Sequence, residues 1–153
     1  FGRKSGTYIY NAIRGINDEP VKEKEESIQY SKIITLKKDS KEYESNMANF
    51  IRDVRKDLNA PELPFVIAGS GFGGWEQKID RRLMIMSAQK SVAESNEFKQ
   101  NARYVETRGF FRDGPVSPRP IRYHWCCNAE TYWLIGDGMG RAMVEILKSV
   151  TVN

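Results

Sequence analysis

His124 is the only histidine among the 153 residues, and histidine is the side chain whose ordinary pKa lets it take and release a proton near neutrality. It stands between Tyr123 and Trp125, after a loop containing Pro115, Pro118 and Pro120 and before a helical run that opens near Asn128. A junction of this kind can hold a side chain at the rim of a cleft. The chemistry it suggests is general base and acid catalysis. The plainer alternative is an imidazole packed and hydrogen-bonded between two aromatic neighbours.

A second candidate is the run Gly69-Ser70-Gly71-Phe72-Gly73-Gly74-Trp75. Its glycines match the G-x-G-x-x-G spacing of a dinucleotide site, but no helix opens inside them and no acid-ended strand follows at the distance that site needs. Ser70 as a nucleophile elbow would require glycine at Ala68 and Phe72, and both positions fail. The reading preferred here is a substrate-facing loop at the carboxyl end of a strand, with Ser70 in the loop and Phe72 and Trp75 as faces on which a sugar can stack. A turn with Trp75 packed into the core is the structural alternative.

Neither metal nor cofactor is expected. The two cysteines, Cys126 and Cys127, are neighbours, which cannot close a useful loop and lack the spacing of a zinc or redox pair. The net charge of +4 arises from 24 basic and 20 acidic residues, interspersed along the chain, which argues against nucleic acid as a partner. No apolar run approaches the length of a membrane span. A chain of 153 residues with 40% hydrophobic content has room for one domain with a core, and the start Phe1-Gly2-Arg3 reads as cut from something longer.

The elements that must position these residues follow from periodicity. Tyr43, Met47, Phe50, Ile51, Val54 and Leu58 fall on one face of a helix over 41–58. Before it, 19–41 is a charged surface excursion, with a short strand at 33–36 pairing with 27–30. Residues 63–68 read as a strand buried on both faces, delivering the chain into the glycine run. A second helix over 79–96 buries Ile79, Leu83, Met86, Val92 and Ala93, and 104–107 is a second strand. Asn128 is a good N-cap for a final helix whose inner face is Tyr132, Ile135, Met139, Met143, Ile146 and Val150, with Gly136, Gly138 and Gly140 allowing close approach to the sheet.

The run His124-Trp125, then Asn128-Ala129-Glu130-Thr131-Tyr132 and Leu134-Ile135-Gly136-Asp137-Gly138-Met139-Gly140, resembles the C-terminal end of carbohydrate acetylesterases of the sialate O-acetylesterase type, in the SGNH hydrolase superfamily. Segments 43–58, 63–67 and 105–108 resemble the same family in the same order. The resemblance implies an α/β, three-layer flavodoxin-like core with a mainly parallel sheet, of which this chain is the C-terminal part. It also implies removal of O-acetyl groups from carbohydrate by serine-esterase chemistry, with His124 as base, Asn17 of the Gly15-Ile16-Asn17-Asp18 block in the oxyanion hole, and Trp125 and Asn128 near the substrate. The nucleophile block of that family is missing, and Ile121 stands where an orienting Asp would be expected, which leaves Asp18, Asp113 and Glu130 as candidate carboxylates. The other reading is a non-catalytic carbohydrate-binding or interaction module of the same fold. By the resemblance, a periplasmic or secreted location is expected.

Overall fold

Helix and strand alternate from residue 26 onward: α1 Glu26–Asp57, β1 Phe65–Ala68, α2 Asp80–Glu94, β2 Ala102–Val105 and α3 Ala129–Val150. A computed structural model describes residues 26–150. The expected block at Asn17 and Asp18 lies outside them.

Helix α1 is 32 residues long and includes the segment read as a strand at 33–36. The segment expected to pair with it, 27–30, belongs to the same helix, so the two do not form a strand pair. Its inward face holds Tyr43, Ile51 and Arg55, with Met47 and Ala48 packed beside them. Phe50 and Leu58, assigned to that face by periodicity, are instead exposed, and Phe50 meets Phe65 edge-on at 6.2 Å between ring centroids. The helix closes with Asn59 at φ 48°, its N–H donating to Lys56 O and the Ala60 N–H to Arg55 O, a pairing that satisfies the last carbonyls.

Arg55 then does what an apolar residue at its position could not. Its guanidinium donates to Leu63 O at 2.9 and 3.0 Å and to Asn101 Oδ1 at 2.5 Å, tying α1 to the entries of both strands while lying over the rings of Phe65 and Phe98. Burial pushes its pKa below the usual arginine value.

The strands pair in parallel, Phe65 opposite Ala102 and Ala68 opposite Val105. Alternation sorts their side chains. Phe65, Ile67, Ala102 and Tyr104 join Ile51, Val92, Ala93 and Phe98 in the core under α1 and α2. Val105, on the other face, looks onto α3, where a Cβ on Gly138 would stand 3.2 Å from it. The described residues therefore make a mixed α/β arrangement with helices on both faces of a small parallel sheet. Within β1 Ile67 alone is buried, so the strand is less enclosed than its apolar run predicts.

Helix α3 sits one residue out of the expected register at its start. Thr131, Ala142 and Ile146 are buried, whereas Tyr132 is 51% exposed. Small residues at 131, 138 and 142 let the backbone approach the sheet, so the contact face is marked by size rather than by hydrophobic bulk. Close approach explains Gly138 but not Gly136 or Gly140, where an added Cβ would meet nothing within 4 Å.

Candidate functional site

The glycine run leaves β1 and is fastened at once to β2 and α2. Gly69 N–H donates to Val105 O at 2.9 Å, and the Thr107 hydroxyl donates to Gly69 O at 2.5 Å while accepting from Gly71 N–H at 3.2 Å. Thr107 is wholly buried. On the other side, Gln89 accepts from Ser70 N–H at 2.9 Å and donates to Ser70 Oγ at 3.1 Å and to Tyr43 Oη at 3.0 Å. Ser70 is thus held at both backbone and hydroxyl by one buried amide, the arrangement of an anchored loop. A Cβ on Gly71 would lie 2.6 Å from Thr107 Oγ1 and 2.7 Å from Arg108 N, so no larger residue fits there without moving backbone.

Beyond the anchor the chain makes a short 3-10 turn, Gly74–Glu76, entered through Gly73 at φ 82° and Gly74 at φ 64°. Phe72 and Gln77 brace it, the Gln77 amide donating to Phe72 O at 2.6 Å. Trp75, at the crest, is 66% exposed. The Arg108 guanidinium covers its ring at 4.2 Å from the centroid, and Glu106 grips that guanidinium through Nε at 2.9 Å and Nη2 at 2.6 Å. Those hydrogen bonds from Arg108 hold the Glu106 carboxyl below the usual carboxylate range. Next along β2, burial and then the Glu106 charge push the Tyr104 phenol up to about 12.

The segment Arg122–Cys127 folds against this loop. Trp125 is buried, 4.8 Å from Phe72 and 6.4 Å from Phe111 between ring centroids. Trp125, Cys126 and Cys127 all take left-handed backbone, at φ 52°, 54° and 54°. Each such residue without glycine costs roughly 1–2 kcal/mol, offset here by the burial of Trp125 and Cys126 and by hydrogen bonds from Cys126 N–H to Ile121 O and from Arg119 N–H to Cys126 O. Burial also pushes the Cys126 thiol up.

The structure places the expected site residues in several surroundings. Ser70, Phe72, Trp75 and Trp125 belong to one packed unit, with Ser70 on its inner side and Trp75 at its surface. His124 is exposed on the same segment as Trp125, and its carbonyl accepts from Tyr132 Oη at 3.1 Å. Asn128 caps α3, its Oδ1 accepting from Thr131 N–H at 3.0 Å and its amide donating to Val116 O and Ser117 Oγ. Glu130 is paired with Arg112 at 2.8 Å, and Asp113 accepts from Gly114 N–H. Gln89, Thr107, Glu106 and Arg108 are site residues that the sequence reading missed. Among the described residues no group of three or more His, Cys, Asp or Glu side chains converges as metal ligands would.

The charge of this region corrects the expectation of evenly interspersed signs. Between 99 and 122 the chain places six of its 24 basic residues, Lys99, Arg103, Arg108, Arg112, Arg119 and Arg122, against two of its 20 acidic ones, Glu106 and Asp113. Eighteen of each sign remain elsewhere, so this stretch of sequence carries an excess of +4. Within it Arg108, Arg112 and Arg122 are paired with Glu106, Glu130 and Asp113, and Lys99 and Arg103 stand just before and within β2 rather than in the loop after it.

Residues 34–114 match the family model described as carbohydrate esterase, sialic acid-specific acetylesterase, which is 81 of the 153 residues. Over that stretch the chain belongs to this family. Membership of a sequence family is not an activity, and the curated relatives carry another name. A DNA polymerase IV of Nitrosopumilus maritimus is 53% identical over 75 residues, covering 47% of this chain and 21% of that protein. A DNA polymerase IV of Methanosarcina acetivorans is 38% identical over 68 residues, covering 42% of this chain and 19% of that protein. A DNA polymerase IV 1 of Methanosarcina mazei is 39% identical over 70 residues, covering 44% and 19%. The chain thus spans about a fifth of the length of the curated relatives it matches. No solved structure matches it.

The flanks of the family match hold 33 and 39 residues, too few for a continuous stretch of 47% of the chain, so the two likenesses share residues. Three relatives of one name, at up to 53% identity, overturn the recognition of this protein as a carbohydrate O-acetylesterase, and the family match does not outweigh them. With it fall the serine-esterase activity, the carbohydrate-binding alternative, the carbohydrate partner and the exclusion of nucleic acid. The physical reason lies in the signals used: an aromatic on a glycine loop stacks on a base as well as on a sugar, and counting charge over the whole chain hid a local excess. No helix among the described residues is long and apolar enough to cross a membrane.

Proposed function

We propose that this chain is a region of a DNA polymerase IV-like protein whose part in that work is to hold DNA by its phosphate backbone. The reading is carried by the 53% identity over 75 residues to the DNA polymerase IV of Nitrosopumilus maritimus. The exposed Arg119 and Arg122 support it, because arginines that neutralise phosphates supply affinity without reading sequence. Polymerisation itself is a proposal for a longer protein, since the matched stretch is only 19–21% of each relative. For the fold, a three-layer flavodoxin-like core is the finer proposal, supported by parallel pairing and by helices on both sheet faces. The direct test is fluorescence anisotropy of a labelled mixed-sequence oligonucleotide at low salt. Saturable binding is expected, weakened to a similar degree for different sequences by Arg119→Gln with Arg122→Gln; absence of binding would overturn the reading.

A further inference from the structure

We propose that Trp75 is a stacking platform for an unpaired nucleobase of single-stranded DNA, an inference that rests on the DNA reading above and deepens it. A tryptophan that is 66% exposed is a large apolar surface left in water, and the protein fixes its position rather than letting it swing. Arg108 covers one face at 4.2 Å, Glu106 clamps Arg108 in two places, and a Cβ on Gly109 would stand 3.7 Å from the indole Nε1. The turn below is pinned by Gly74 N–H donating to Gly71 O at 3.0 Å, and a Cβ on Gly74 would be 3.2 Å from Phe111.

A ring held this way loses little conformational entropy when a flat partner settles on it. The guanidinium beneath adds a cation to the stack, as arginine does in sequence-tolerant single-strand sites. The choice of occupant follows from charge. A neutral sugar could also stack on an indole, but the loop that Phe111 and Trp125 fasten to this turn continues to the exposed Arg119 and Arg122. Arg122 lies 3.6 Å from Asp113, and the more deeply set Arg112 is paired with Glu130. An exposed arginine pair on that loop suits an anionic chain. A single strand is required because the bases of a duplex already cover one another's faces.

The test compares the wild-type protein with Trp75→Ala and Trp75→Phe for binding a short oligo-dT, a duplex of the same length, and xylohexaose. Trp75→Ala should weaken oligo-dT binding roughly 5- to 150-fold with an unchanged salt slope, Trp75→Phe should retain most of the affinity, and duplex binding should change far less. Unchanged circular dichroism and thermal midpoint would show that the fold is intact, as expected for an exposed side chain. Oligo-dT binding that is indifferent to Trp75→Ala would overturn the platform and leave the DNA reading standing. Equal losses on duplex and single strand would overturn the assignment to unpaired bases. A wild-type protein that binds neither DNA overturns both, and one that binds xylohexaose but not oligo-dT makes the indole a sugar platform instead.

Discussion

The Arg108 guanidinium lies 4.2 Å from the centre of the Trp75 indole and is gripped from behind by the Glu106 carboxylate, so a pH-dependent acid controls how an exposed aromatic is held. The hydrogen bonds from Arg108 lower the folded-state pKa of Glu106. A depressed carboxyl contributes stability above its unfolded value, about 4.3 for Glu, and loses it as pH falls through the folded value. Trp75 fluorescence, isolated as the difference between wild type and Trp75→Phe, should therefore shift in acid below about pH 4. Glu106→Gln should abolish that transition; an identical acid transition in the variant would show that the clamp does not govern the indole.

Two glycine substitutions should act in opposite directions. Gly71→Ala forces a Cβ against Thr107 Oγ1 and Arg108 N, and should cost roughly 1–3 kcal/mol as overpacking does. Gly136→Ala adds a methyl in open space on α3 and should stabilise by about 0.5–1 kcal/mol. Urea denaturation midpoints report both. A neutral Gly71→Ala would mean that the loop is not anchored through Thr107.

What could be read from the sequence was local. Asn128 was legible as a cap because its side chain serves a backbone N–H three residues on. The helical period placed Tyr43, Met47 and Ile51 on the inward stripe of α1, though not Phe50 and Leu58, whose exposure depends on what the helix packs against. What escaped depends on partners distant in sequence. Gln89 reads as a solvated polar residue on α2 until the fold brings Ser70 and Tyr43 to it, and Thr107 looks ordinary until Gly69 and Gly71 close on it. The left-handed run at Trp125, Cys126 and Cys127 was not legible, since those conformations are normally the province of glycine and asparagine. The charge between 99 and 122 was present in the sequence all along, concealed by summing over the whole chain. The functional assignment failed for a different reason: a family-like pattern over part of a chain conveys ancestry of that part, and activity has to be argued from the site.

Alkaline pH should destabilise the fold through Tyr104. Its phenol is pushed up to about 12, so the folded state favours the neutral form. An acid with a raised folded pKa gives stability that is complete below its unfolded value, about 10, and lost as pH rises toward 12. Thermal midpoints should fall across that window. Tyr104→Phe should reduce the fall without removing it, because burial raises the Tyr43 phenol as well. A slope unchanged by Tyr104→Phe would assign the effect to other groups.

The most direct measurement is the salt dependence of DNA binding. If this chain holds DNA through phosphates, the logarithm of the binding constant for oligo-dT should fall linearly with the logarithm of salt concentration. The paired substitutions Arg119→Gln and Arg122→Gln should flatten that slope by about 0.7 for each phosphate that is no longer neutralised. An affinity indifferent to salt, or no binding even at low salt, would contradict the account.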